Sequence, residues 1–125
     1  MLADLEGRPL VMFRSGYDLR ETTVAACLAA GFTPTFSVEG GEMDAVLEFV
    51  HVGLGLAVVP STVASTRFWT TPFTPPGIRR TVLLAERADI EPPRAARALH
   101  DSIVEFLQRA VETDSLPVGV QALTG

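Results

Sequence analysis

The alternation of two kinds of apolar pattern in the first half of the chain constrains the fold most. A short continuous apolar run at residues 8–13 is followed by a helical pattern over residues 17–32. An extended segment over residues 32–39 and a second helical pattern over residues 40–55 come next, and a third apolar run covers residues 56–60. Strands that alternate with helices through short connections are typical of a parallel sheet packed against helices. The sequence therefore predicts an α/β fold.

The ends of the two helical patterns carry local signals. Asp18 is followed three residues later by Glu21, which predicts a capping box at the start of the first helix. Gly31 is the residue type that commonly ends a helix in the left-handed conformation. In the second pattern, apolar residues recur at helical spacing and predict one buried stripe. These residues are Met43, Val46, Leu47, Val50 and Leu54.

The phrase HVGLGLAVVP, residues 51–60, contains a glycine pair that could be mistaken for a dinucleotide-binding loop. Such a loop follows a strand and opens a helix, and it carries a third glycine where this chain has Val58. Here a helix precedes the pair and a strand follows it. We therefore interpret Gly53 and Gly55 as residues that end the helix and turn the chain into a strand that stops at Pro60.

The second half of the chain has a looser pattern. Three prolines and a glycine interrupt residues 61–77, where 61–65 could form one helical turn and 68–73 a short strand. Residues 79–87 (RRTVLLAER) predict a further strand, and residues 92–111 predict an amphipathic helix with prolines in its first turn. Residues 112–125 have no sustained period, so we expect a loose tail.

Composition narrows the class of protein. The chain has 125 residues, 47% of them hydrophobic and 20% charged, which predicts one globular domain. A net charge of −5 without basic clusters predicts no direct DNA contact from this chain. The acidic start and the absence of a long apolar run predict a soluble cytoplasmic protein with no membrane partner. Cys27 lies among alanines and is expected to be a small buried residue rather than a nucleophile.

Catalytic and metal sites find little support in the residue pattern. Ser15, His51 and Asp44 could form a hydrolase triad on paper, but Ser15 lacks the G-x-S-x-G context that exposes such a nucleophile. Glu39, Glu42 and Asp44 share no spacing with a histidine or cysteine, so no metal and no cofactor are expected. The sequence predicts that the protein is not an enzyme.

Two loops give a positional signal for ligand binding. Ligands of open parallel sheets bind beyond the carboxyl ends of the strands, on the loops that lead into helices. Ser15, Gly16 and Tyr17 lie on the first such loop, and Gly40 and Gly41 precede the second helix. Hydroxyl and free N–H groups there suit a small anion or polar molecule. Ordinary turns need the same small residues, so both interpretations stay open at this point.

The order of these segments resembles a known family. A "DL" phrase before the first strand, an early helix arginine at Arg20, a GFTP turn over residues 31–34, a strand ending at Glu39 and the phrase HVGLGLAVVP carry the resemblance. Together they look like the second lobe of the effector-binding domain of LysR-type transcriptional regulators. The resemblance covers about residues 2–111, with Val52 standing where alanine is commoner in the family.

The resemblance implies a fold and a domain organisation. The fold would be the type 2 periplasmic-binding-protein-like fold, in which two α/β lobes enclose a cleft for a small effector. The whole chain would be one partial domain with an incomplete first lobe. Residues 8–78 would form the second lobe, residues 79–111 would be the strand and helix that return to the first lobe, and residues 112–125 would be the tail.

The resemblance also implies a site and a mode of action. Seven residues would bind the effector: Ser15, Gly16, Tyr17, Gly40, Gly41, Glu42 and Met43. Gly53, Gly55 and Pro60 would have hinge or structural roles. Binding of a small effector, anionic or polar, would bias the arrangement of a homo-oligomer and so change transcription. DNA would be bound by an N-terminal winged helix-turn-helix domain that this chain lacks.

Other functions remain as alternatives. A solute-binding-type ligand module shares the implied fold, but it should carry a secretion signal or lipid anchor. A stand-alone dimerisation module is a second alternative, and a small hydrolase is less favoured. A return strand and helix without their partners would leave apolar faces exposed, so we expect self-association into a dimer or larger oligomer.

Overall fold

The computed structural model describes residues 1–63 and 67–123. The chain divides into two compact units, Met1–Arg79 and Arg80–Gly125. A 3-10 turn at Leu2–Leu5 opens the first unit, which contains strand β1 (Pro9–Met12), helix α1 (Asp18–Ala29), strand β2 (Thr35–Glu39), helix α2 (Met43–His51) and a 3-10 turn at Ser61–Val63. Helix α3 (Arg94–Glu112) belongs to the second unit. The predicted α/β class is confirmed for the first unit.

Strand β1 is the centre of a small parallel sheet. It pairs with β2 in parallel, with Met12 opposite Glu39 and a register shift after Leu10. On the other side of β1, the third predicted strand contributes a single parallel bridge from Leu56 to Leu10. The Val11 N–H donates to the Leu56 carbonyl at 2.8 Å. The third strand, predicted for residues 56–60, is present and parallel as expected, but it is much shorter than predicted.

The third strand is short because the chain beyond Leu56 leaves the sheet. Pro60 has no N–H to donate, and its carbonyl already accepts from the Val63 N–H at 3.0 Å in the 3-10 turn. The residues between pack instead of pairing, since Ala57 and Val59 contact the hydrophobic core. The segment therefore makes one bridge to β1 at Leu56 and then packs against the core without further strand pairing.

The core is built on β1. Leu10, Val11, Met12 and Phe13 are each at most 2% exposed, as expected for a parallel strand that is covered on both faces. Helix α1 adds Leu19, Thr23 and Cys27 to the buried residues, and α2 adds Val46. Burial raises the pKa of the Cys27 thiol, so it stays neutral. The prediction of a buried Cys27 is confirmed.

The two ends of α1 differ in how well the sequence predicted them. The helix begins at Asp18 with Tyr17 as its N-cap, and no side-chain cap bond forms. The predicted capping box of Asp18 and Glu21 is therefore wrong, since the helix starts one residue earlier and its N-cap is Tyr17, whose ring stacks on Phe13. At the other end, Gly31 has φ +94° and its N–H donates to the Leu28 carbonyl at 3.0 Å, as predicted for a helix-ending glycine.

Helix α2 ends at the glycine pair, as predicted. Gly53 has φ +85°, its N–H donates to the Val50 carbonyl, and the next N–H, that of Leu54, reaches the Phe49 carbonyl at 3.0 Å. This is a Schellman motif, in which a left-handed residue satisfies the last carbonyls of a helix.

The second half of the chain departs from the expectations. Residues 79–87 and 68–73 form no strand in the described part of the chain, and residues 81–87 are all exposed. An extended segment becomes a strand only when a neighbour satisfies its backbone groups, and the described residues bring no such neighbour to it. The helical turn expected at 61–65 is present as Ser61–Val63, and residues 64–65 lie outside the described residues.

Helix α3 forms where the sequence predicted it, with Pro93 as its N-cap. Its apolar face is largely uncovered within this chain: Leu99 is 63% exposed and Phe106 is 67% exposed, whereas Ala110 is buried. Residues 113–123 contain no regular element.

Candidate functional site

The two loops singled out in the sequence lie side by side at the carboxyl edge of the sheet. We call residues 13–17 the first loop and residues 40–42 the second loop. The Gly40 N–H donates to the Met12 carbonyl at 3.0 Å, and the Arg14 N–H donates to the Gly41 carbonyl at 3.0 Å. Backbone pairing therefore continues past the ends of β1 and β2 and holds the loops together.

The first loop makes a tight turn that places a hydroxyl group in solvent. The Tyr17 N–H donates to the Arg14 carbonyl at 3.2 Å, and Gly16 has φ +78°. A turn with a positive φ at its third residue favours glycine there. Ser15 and Gly16 are exposed, whereas the half-buried Tyr17 ring stacks on Phe13 with a centroid distance of 4.7 Å. The turn thus leaves Ser15 exposed to solvent.

The second loop brings backbone close to the first turn of α2. Gly41 has φ +79°, and a Cβ at this position would lie 2.6 Å from the Ala45 Cβ, so a side chain has no room. Glu42 is the N-cap of α2 and makes no side-chain cap bond. The first N–H groups of a helix have no intrahelical acceptor and carry partial positive charge. Met43 contributes only its backbone to this edge, because its side chain packs against the core.

An ion pair joins the two loops. Glu42 Oε1 accepts from Arg14 Nε at 3.1 Å and from Arg14 Nη2 at 3.0 Å. The Arg14 side chain is 51% exposed and that of Glu42 is 66% exposed. The Arg14 guanidinium also lies 5.7 Å from the centroid of the Tyr17 ring. Sequence reasoning placed Glu42 in the site but missed Arg14, although a cation directly after a strand at this edge was a usable signal.

A second arginine holds the strand ends beneath the loops. Arg20, on α1, donates from Nη1 to the Phe13 carbonyl at 2.9 Å and from Nη2 to Glu39 Oε2 at 2.7 Å. Its guanidinium lies 5.1 Å from the centroid of the Phe36 ring, and its side chain is 18% exposed. The sequence resemblance already named Arg20 and Glu39 as positions typical of the family, and the structure shows that these two residues form an ion pair. Arg20 therefore ties α1 to the carboxyl ends of β1 and β2.

Two of the remaining named residues, Gly53 and Gly55, lie at the opposite edge of the sheet from these loops. A Cβ on Gly55 would meet the Pro9 carbonyl oxygen at 2.5 Å, which places Gly55 at the amino end of β1. Gly53 lies at the same end, after the last turn of α2. Pro60 precedes the 3-10 turn at Ser61–Val63.

The hypothetical hydrolase residues are not brought together. Ser15 lies beside the start of α2, whereas His51 is the last residue of that nine-residue helix, about 12 Å along its axis. The His51 ring packs edge-on against Phe68, with the centroids 6.4 Å apart.

Across residues 1–63 and 67–123, no three His, Cys, Asp or Glu side chains form a group that could hold a metal ion. None of the helices described could cross a membrane, since none combines the length and apolarity required.

Comparison with known proteins gives a consistent result. The family described as the LysR substrate binding domain matches residues 1–108. The transcriptional dual regulator GltC of Bacillus subtilis is 33% identical over 112 residues, which cover 86% of this chain and 37% of GltC. The HTH-type transcriptional regulator YwbI of the same organism is 29% identical over 62 residues, covering 50% of this chain and 21% of YwbI. No solved structure matches the chain at a significant level. The chain thus spans little more than a third of the length of GltC and about a fifth of that of YwbI.

Proposed function

Since the chain belongs to the LysR substrate-binding domain family, we propose that its paired loops bind a small effector and report that binding to a transcriptional regulator. The resemblance stated from the sequence is confirmed by the family match over residues 1–108. The family is one of transcriptional regulators, and we propose that this chain has a sensing role and no catalytic one.

The observation that carries the proposal is the backbone pairing of the two loops. Because Gly40 bonds to Met12 and Arg14 bonds to Gly41, the Ser15 hydroxyl and the start of α2 are held at one edge. Loops at the carboxyl ends of parallel strands are the usual ligand-binding position in such sheets. A small anion or polar molecule fits the donors there, namely the hydroxyl group, the guanidinium of Arg14 and the N–H groups of the first helical turn.

We further propose the type 2 periplasmic-binding-protein-like organisation for the protein. Residues 8–78 would be the second lobe, residues 79–111 would return to a first lobe, and residues 112–125 would be a tail. The exposure of residues 81–87 supports this division, since an apolar extended segment of this kind suits pairing with strands of a first lobe. Gly53, Gly55 and Pro60 would then act structurally near the hinge.

The proposed mode of action is allosteric. Effector binding would favour one arrangement of a cytoplasmic homo-oligomer, and a separate winged helix-turn-helix domain would carry the DNA contact. The exposed apolar face of α3 supports association through the second unit. The net charge of −5 is consistent with DNA contact by another domain.

The proposal is tested by mapping amide chemical shifts of the 15N-labelled chain with a panel of small organic anions and neutral polar molecules. We expect at least one compound to shift Ser15, Gly16 and Tyr17 together with residues 40–43. Ser15→Ala should weaken its binding roughly fivefold through the loss of one hydrogen bond. Ser102→Ala, on the exposed face of α3, is the matched control and should bind as the unsubstituted chain does. Shifts that cluster elsewhere, or no shifts across the panel, would contradict the proposal.

A further inference from the structure

We propose that Glu42 is a built-in competitor for the effector, and that an effector carrying a carboxylate binds by replacing Glu42 on Arg14. This inference rests on the proposed function, because it assigns the ligand class and the regulation of the same site. It starts from the partner that Arg14 holds in the structure, which is a carboxylate supplied by the opposite loop.

The geometry of the ion pair leaves it easy to exchange. Two Arg14 donors, Nε and Nη2, converge on the single oxygen Oε1 of Glu42, and the third, Nη1, donates to the Ser15 carbonyl at 3.4 Å. A two-oxygen pairing of guanidinium and carboxylate is the stronger arrangement, and it is not used here. Both side chains are more than half exposed, so water screens the attraction and the pair contributes little to stability. An incoming carboxylate can offer Arg14 the two-oxygen geometry that Glu42 does not use.

The surroundings of Arg14 favour a fixed guanidinium. Its backbone N–H is bound to the Gly41 carbonyl at 3.0 Å, and its guanidinium lies near the face of Tyr17, which is itself stacked on Phe13. The guanidinium can therefore exchange one carboxylate for another with little rearrangement of the first loop. Such preorganisation lowers the entropic cost of binding.

Displacement of Glu42 would also carry a signal across the site. Glu42 is the N-cap of α2, and its side chain is the described ion-pair link between the two loops. When a ligand takes its place on Arg14, the loops lose this side-chain link but keep the backbone hydrogen bond from the Arg14 N–H to the Gly41 carbonyl. Binding at Nε and Nη2 and the Arg14–Glu42 pair are then mutually exclusive, so the pair raises the effector concentration that is needed by a factor set by its own modest strength.

The test compares two neutralising substitutions in the full chain. Glu42→Gln removes the competitor, whereas Glu48→Gln removes a carboxylate from an ion pair of matching length and exposure, 2.9 Å to Arg67. Both variants change the net charge equally. The probe is succinate, with succinamide as its uncharged counterpart, and affinity is measured from amide shifts and from the Nε–H resonance of Arg14.

We expect Glu42→Gln to bind succinate roughly fivefold more tightly than the unsubstituted chain, and Glu48→Gln to bind it unchanged. Arg14→Gln should abolish binding, and succinamide should bind none of the variants. Succinate should move the Arg14 Nε–H resonance of the unsubstituted chain. Equal affinities of the Glu42→Gln and Glu48→Gln variants would overturn the inference. If a different compound from the panel shifts residues 15–17 and 40–43 while Glu42→Gln leaves succinate binding absent, this inference fails and the proposed function stands.

Discussion

Gly53 and Gly55 both have positive φ, yet they are glycines for different reasons. At Gly53 the φ of +85° serves the end of α2, and a Cβ there would meet nothing within 4 Å. At Gly55 the φ is +157°, and a Cβ would lie 2.5 Å from the Pro9 carbonyl oxygen and 2.9 Å from Ser37 Oγ. The second position is therefore closed by the backbone of the neighbouring strand, whereas the first is limited only by conformation.

Alanine substitution separates these two requirements. Gly53→Ala should lower the free energy of unfolding by about 1 kcal/mol, the usual cost of a left-handed conformation. Gly55→Ala should cost at least about 3 kcal/mol, because it adds a clash with the carbonyl that accepts from the Leu56 N–H. Urea unfolding followed by far-ultraviolet circular dichroism measures both. Equal losses for the two variants would show that the close approach at Gly55 relaxes without cost.

At the scale of elements, the parts that the sequence predicted are those fixed by nearby residues. The end of α1 at Gly31 and the end of α2 at Gly53 depend on a left-handed residue and bonds within one turn, so they follow from local pattern. The start of α1 did not follow, because residue preference points to Asp18 as the N-cap, whereas the helix is capped by Tyr17, which makes no side-chain cap bond. Residues 79–87 have strand composition but no strand, since composition does not supply a neighbour.

In the candidate site, too, some features follow from the sequence and others do not. Its loops were located by their position after the strands, and the seven proposed effector-binding residues lie on them or at the start of α2. The pairs that organise them were not predicted, because Arg14 and Glu42 are 28 residues apart and Arg20 and Glu39 are 19 apart. No spacing rule connects such residues before the parallel pairing of β1 and β2 is known.

The Arg20–Glu39 pair makes a prediction about how the elements are held together. Arg20→Gln removes the charge that joins α1 to the ends of both strands, and we expect the free energy of unfolding to fall by about 1–2 kcal/mol. The carboxylate is half exposed, which keeps the effect below that of a buried pair. Arg97→Gln is the control, since its 3.0 Å pair with Glu91 is exposed at both ends. Urea unfolding should show less than about 0.5 kcal/mol for the control. A loss no larger for Arg20→Gln than for Arg97→Gln would contradict the role assigned to Arg20.

At the scale of the whole molecule, the two units differ in how well they bury apolar residues. The first unit encloses β1 almost completely, with Leu10 and Phe13 each 1% exposed. In the second unit, α3 carries a continuous apolar face on which Leu99 and Phe106 are each more than 60% exposed. Such a face favours association of two copies of the chain, since burial of one phenylalanine contributes about 2 kcal/mol.

Self-association through α3 is therefore expected, and one helix supplies both the variant and its control. Phe106→Lys places a charge in the apolar face, whereas Gln108→Lys places the same charge about 200° around the helix. Sedimentation equilibrium at several concentrations should show an average mass that rises with concentration for the unsubstituted chain and for Gln108→Lys. For Phe106→Lys the dissociation constant should rise at least about tenfold, because a charged side chain cannot be buried there unpaired. A monomer at every concentration, or equal constants for the two variants, would show that this face of α3 is not where copies of the chain meet.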